Sequence, residues 1–122
     1  MTCIDCTPAI TLVMPWPVMR ELSPNWRGHW ARKASAKKKL RADWAAAALQ
    51  QGARRIASDS LAVSLVFVPP DKRARDLDNL LASCKAGLDG LADVLGVDDA
   101  NWSIAISKAS EQGGFVRVEV SV

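Results

Sequence analysis

The chain has 122 residues, 49% of them hydrophobic and 24% charged, with a formal net charge of +3. That length and composition fit one domain, residues 1–122, around one core. No apolar run approaches the ~20 residues that span a bilayer, which excludes a helical membrane protein.

The N-terminus, MTCIDCTPAITLVMPWP, lacks a basic start, carries Asp5 and is broken by prolines, so it does not read as a secretory signal. The chain reads as cytoplasmic, with residues 1–8 as a flexible tail. Its three cysteines, Cys3, Cys6 and Cys84, are an odd count, which suits reduced thiols. Cys3 and Cys6 form one CxxC. A zinc site wants about four ligands, and only Cys84 and His29 remain to complete one.

Residues 9–14 (AITLVM) read as a short strand ended by PWP, since proline cannot donate to a ladder. Residues 18–30 read as a loop with turn residues at Ser23, Pro24, Asn25 and Gly28. From about Ala31 to Gln51 the chain is rich in Ala, Lys, Leu and Arg, all strong helix formers, and Gly52 is a natural stop. Leu40, Trp44, Ala47 and Ala48 share one arc of this helix. Lys33 and Lys37 continue that arc one to two turns earlier. One helix cannot bury both halves against one core. Either its N-terminal half projects past the core and shows its lysines to a partner, or the helix starts nearer Ser35.

LAVSLVFV (61–68) is a β-branched apolar strand stopped by Pro69 and Pro70. A second helix is predicted from about Leu80 to Leu95, with Leu80, Leu81, Cys84, Leu88, Leu91, Ala92 and Leu95 within an arc of about 120°. WSIAISKA (102–109) and FVRVEVSV (115–122) alternate as strands, and SEQGG between them suggests a hairpin. The expected architecture is α+β: a mixed sheet of about four strands in the order β-α-β-α-β-β, with two covering helices.

Charge is unevenly placed. From Arg20 to Arg41 there are eight Lys/Arg and one acid, and from Asp71 to Asp99 seven aspartates and four cations. A basic lobe beside an acidic cluster suits a polyanionic ligand held near a cation-dependent site. Asp76 and Asp78 lie at the start of the second helix, where Asp78 also suits the N-cap. Asp98 and Asp99 follow that helix. A helix of 16 residues is about 24 Å long, so a site shared by both groups requires the chain to return toward the helix start. Oxygen donors without a His/Cys cluster favour Mg²⁺ over zinc. A metal on Asp76, Asp78 and Asp99 would activate water and neutralise charge on a phosphodiester. Lys72, Arg73 and Arg75 would then hold phosphate. Arg27, Lys33, Lys37 and Lys38 form the basic approach. Lys85 shares a helix face with Asp78 and Asp89. It suits either transition-state stabilisation or a plain i,i+4 pair with Asp89.

PPDKRARDLDNL, then KAGLDGL, then GVDDANW, resembles the RusA family of Holliday junction resolvases, chiefly its phage and prophage members. MPWP and LSPNWRGHW resemble that family's opening strand and the loop after it. The resemblance spans roughly residues 10–120. It implies a RusA-like fold and a homodimeric endonuclease that cuts four-way DNA junctions symmetrically with Mg²⁺ or Mn²⁺. The family's three essential aspartates fall on Asp76, Asp78 and Asp99, and its catalytic lysine on Lys85. The better-known members carry that lysine one helical turn sooner, where this chain has Ala82, and Ala74 interrupts the usual basic run. The alternatives are a catalytically silent DNA-binding protein of the same fold and a metal-dependent phosphohydrolase acting on nucleotides.

Overall fold

The computed structural model describes residues 9–17, 22, 27–73 and 75–122. The CxxC of Cys3 and Cys6, most of the loop read at 18–30, and Ala74 lie outside the described residues. The elements are β1 (Ala9–Pro15), α1 (Trp30–Gln50), β2 (Leu61–Val68), α2 (Leu77–Ser83), α3 (Lys85–Leu95), a 3-10 turn (Asp99–Asn101), β3 (Trp102–Lys108) and β4 (Phe115–Ser121). The fold is α+β, with a four-stranded mixed sheet ordered β1-β4-β2-β3. No helix among the described residues is long and apolar enough to cross a membrane.

The predicted hairpin between β3 and β4 does not form. β4 lies between β1 and β2, antiparallel to both, and β3 pairs in parallel with the far edge of β2. The side chains explain the choice. Val116, Val118 and Val120 form a fully buried row suited to an inner strand, whereas Ser103, Ile104, Ala105 and Ser107 of β3 stay exposed, as an edge strand allows. The connection 109–114 passes over the end of β2 instead. Ala109 N–H donates to Phe67 O, Gly113 N–H to Pro69 O and Gly114 N–H to Val68 O, each at 2.9 Å. Gly114 supplies the left-handed φ of 83° that this crossing needs.

The predicted single helix over 80–95 is two segments that meet at Cys84, whose ψ of −2° interrupts regular geometry. It starts earlier than expected, because Leu77 packs against the core and Asp76, not Asp78, takes the extended N-cap conformation. Cys84 is buried, and burial pushes its thiol up to about 12, so it is inert packing.

At the other edge of the sheet, Gln51 acts as a substitute strand. Its side-chain amide accepts from Val13 N–H and donates to Val13 O, both at 2.8 Å, which pairs one residue on the free side of β1. The helices cover one face of the sheet. Leu12, Met14, Leu65, Phe67, Leu88 and Leu91 meet Trp44 in one cluster, and the Trp44 indole N–H donates to Pro15 O at 3.1 Å.

The crossing of α1 and α3 depends on two glycines. A Cβ at Gly90 would lie 2.1 Å from the Arg41 carbonyl oxygen, and one at Gly87 would lie 2.5 Å from the Trp44 ring. Arg41 and Asp93 clamp the same crossing through paired bonds of 2.8 and 2.9 Å. Gly90→Ala is expected to cost about 3 kcal/mol or more. Gly87→Ala should cost less, because an indole can shift where a backbone carbonyl in a helix cannot. Urea unfolding of both variants checks this, and an unchanged midpoint for Gly90→Ala would disprove the close approach.

Candidate functional site

The approach to α2 begins at Asp71, just after Pro69 and Pro70. Its carboxylate accepts from Arg73 N–H at 3.0 Å and pairs with Arg75 at 2.8 Å. The Arg73 backbone N–H, followed by the Arg73 and Arg75 side chains, holds the Asp71 carboxyl down to about 2. Arg75 folds inward. Its guanidinium lies 5.6 Å from the centre of the Trp16 ring and donates to the carbonyls of Asp71 and Arg73, with only 13% of the side chain exposed. Lys108 closes the turn from below, donating to Arg75 O at 2.7 Å. Arg75 therefore braces the turn from inside, with three guanidinium contacts to Asp71 and Arg73. Lys72 and Arg73 remain exposed.

Asp76 caps α2 through its backbone and makes no side-chain capping bond, while Asp78 stands exposed in the first turn. From there the α2–α3 surface forms one wall of a groove of about 510 Å³. Asp78, Lys85 and Asp89 supply its polar groups, and Leu81, Ala82 and Ala86 its apolar floor. The opposite wall is the N-terminal half of α1, through Lys33 and Lys37. Helical spacing thus does what the sequence suggested: the core face of α1 runs on past the core, and its lysines meet the aspartate-bearing helix. Lys38 does not join them. One residue on from Lys37, it is turned about 100° away and is exposed. Arg27 is exposed just ahead of α1.

Lys85 is the hub. Its ammonium donates to Asp89 at 3.3 Å and also bonds Asp99. The Lys85 hydrogen bond holds the Asp99 carboxyl below the usual carboxylate range, and the same bond raises Lys85. Asp98 is engaged locally, accepting from Ala100 N–H at 2.9 Å to start the 3-10 turn. Asp89, Asp93, Asp98, Asp99 and Arg41 line a second concavity of about 380 Å³ beside the groove.

Asp76, Asp78 and Asp99 do not converge. Among the described residues, no group of three or more His, Cys, Asp or Glu is placed to hold a metal. The reason is axial distance. Asp99 returns to the helix at Lys85, and Lys85 is two turns, about 10.5 Å, beyond Asp78. Asp89 is the residue the sequence undervalued. It lines both concavities and shares Lys85 with Asp99, and its one signal in the sequence was the i,i+4 spacing from Lys85.

No family model matches the sequence. An uncharacterized protein of Xylella fastidiosa (strain Temecula1 / ATCC 700964) is 38% identical over 101 residues, covering 75% of this chain and 61% of that protein. The chain therefore matches less than two thirds of that relative's length.

The Lys85–Asp99 contact carries a testable sign. A lowered carboxyl stabilises the fold above the ordinary aspartate value of 3.8, and that stability is lost as pH falls through the folded-state value. A raised lysine stabilises below its ordinary 10.5, and that stability is lost as pH climbs through the folded-state value. Lys85→Met should return the Asp99 carboxyl toward its ordinary range. Carbon-detected NMR titration of that carboxyl reads the change, and an unmoved midpoint would disprove the contact.

Proposed function

We propose that this chain is a structure-selective endodeoxyribonuclease that resolves four-way DNA junctions by paired phosphodiester cleavage, working as a homodimer in the cytoplasm with Mg²⁺. The observation that carries the reading is the groove, in which a lysine wall on α1 faces a carboxylate wall on α2 and α3 around Lys85. A lysine wall receives phosphates without reading sequence, and carboxylates beside it are what phosphodiester chemistry needs. A C2 dimer would present two identical sites to a junction that is itself nearly two-fold.

The donors suit magnesium in kind, being carboxylate oxygens with no His or Cys among them. In number they suit it through a pair. Asp89 and Asp99 already share one cation, the Lys85 ammonium, and magnesium often uses one or two carboxylates plus substrate oxygens. Asp99 and Asp89 would hold the ion, with Asp78 further along the groove wall. Bound there, it would supply an activated water and charge neutralisation. The chain's own contribution is the lysines. Lys33 and Lys37 position the backbone. Lys85 orients Asp99 through their hydrogen bond and offers a donor to charge developing on the phosphoryl oxygens.

A catalytically silent junction-binding protein is the second reading, favoured by the scattered positions of Asp76, Asp78 and Asp99. Single-turnover cleavage of a four-way junction with and without Mg²⁺ separates the two. The active reading expects Asp99→Asn to abolish cutting while binding persists, and Lys85→Ala to slow it by a factor of ~10² or more. A wild-type chain that binds junctions but never cuts them would leave only the silent reading. Loss in Asp76→Asn as complete as in Asp99→Asn would restore the three-aspartate assignment.

Binding has its own test. Neutralising Lys33 and Lys37 should flatten the slope of log K against log salt by about 0.9 for each phosphate no longer neutralised. Neutralising Lys38 alone should leave the slope unchanged, because it faces away from the groove.

A further inference from the structure

Trp30, the first residue of α1, is 76% exposed, the most exposed large hydrophobic side chain among the described residues. An exposed indole at a helix start offers a flat π-face to a partner. Three features say what kind. The ring is held in place: His29 stacks on it, centroids 5.7 Å apart and planes 23° apart, and His29 is itself fixed because its Nδ1 accepts from Ala31 N–H at 3.1 Å. The surroundings are cationic, with Arg27, Arg32 and Lys33 close in sequence and no acid in the first turn of α1. The direction is set by helix geometry. Lys33 and Lys37 fall within about 60° of Trp30 around the axis, about 4.5 and 10.5 Å further along it. They are the lysines of the groove wall.

From this we infer that Trp30 is a stacking platform for one unpaired base of a DNA strand, at the mouth of the groove whose phosphates Lys33 and Lys37 receive. The inference rests on reading the groove as a DNA site. Stacking uses the open π-face and tolerates any base, while the cations hold the phosphates on either side of it. Fully paired duplex has no free base to give, so Trp30 favours branched DNA, whose crossover can open a pair.

The test compares wild type, Trp30→Ala and Trp30→Phe of the full chain, in binding to a four-way junction and to linear duplex. The junction carries 2-aminopurine at the branch point. Trp30→Ala should weaken junction binding by about tenfold or more, leave duplex binding and the salt slope unchanged, and abolish quenching of the 2-aminopurine. Trp30→Phe should keep most of the affinity. Equal junction binding by wild type and Trp30→Ala would overturn the platform and leave the groove reading standing. Equal losses on junction and duplex would also overturn it, as would a changed oligomeric state in Trp30→Ala, which would make Trp30 a contact between copies. A wild-type chain that binds no DNA even at low salt would remove the groove reading and this inference together.

Discussion

Gly90 has no side chain because the carbonyl oxygen of Arg41 occupies the place where one would go. That close approach, with Gly87 under the Trp44 ring, fixes where α1 crosses α3, and everything of functional interest depends on the crossing. It draws two helices together at their apolar halves, Leu40, Trp44 and Ala48 against Leu88 and Leu91. Beyond the crossing, the N-terminal half of α1 continues over the edge of the core. Its next residues on the same arc are lysines, and the helix they face presents Asp78, Lys85 and Asp89. The groove is the space left when two helices packed tightly at one point diverge at another. A larger residue at position 90 would alter the width of a site it never touches.

Charge in and around that space is arranged in pairs of opposite sign. Asp71 engages Arg73 and Arg75, Asp93 engages Arg41, and Lys85 joins Asp89 to Asp99. Most of these pairs are well exposed and each adds little to stability on its own. Their value lies in placement. The brace of Arg75 on Asp71 and Trp16 orders the turn that delivers Asp76 and Asp78 to the helix start. The Arg41–Asp93 pair keeps one cation on the α3 side of the acidic concavity. Asp99 is bound by the Lys85 ammonium, and Lys85 in turn lines the groove that Lys33 and Lys37 face.

The periodic parts of this architecture were legible in the sequence. The apolar arc from Leu80 to Leu95, the strand at Leu61–Val68 and the stop at Gly52 follow from local pattern alone. So did the two-part character of α1, since Lys33 and Lys37 share an arc with Leu40 and Trp44. Pairing partners were not legible. SEQGG between two alternating segments suggested a hairpin, yet the Val116–Val118–Val120 row is better used as an inner strand, and no local signal ranks that gain against a short turn. Asp76 and Asp78 were visible as carboxylates at a helix start, set apart from Asp99 by a helix length, but whether the chain closes that gap was not legible. That depends on where a chain leaving Leu95 turns back, which is a tertiary fact. Arg75 was visible as one of a basic cluster, but its inward fold against Trp16 and Asp71 was not.

The position of Lys85 joins these threads. The proposed reading expects a lysine one turn sooner after the paired aspartates, at the position held here by Ala82. Moving a lysine from 82 to 85 shifts it about 4.5 Å along the axis and about 60° around it. On an uninterrupted helix it therefore stays on the face of Asp78. The chain breaks regular geometry one residue earlier, at Cys84, and restarts as α3 with Lys85 at its first position. From there the ammonium spans Asp89 one turn on and Asp99 beyond it. The displacement thus carries the lysine away from the aspartates at the helix start and toward the one that follows the helix. A lysine at position 82 would stand near Asp78, whereas Lys85 stands with Asp89 and Asp99. The three-residue shift thus gives the lysine new carboxylate partners, Asp89 and Asp99, while Asp78 stays on the groove wall leading to them.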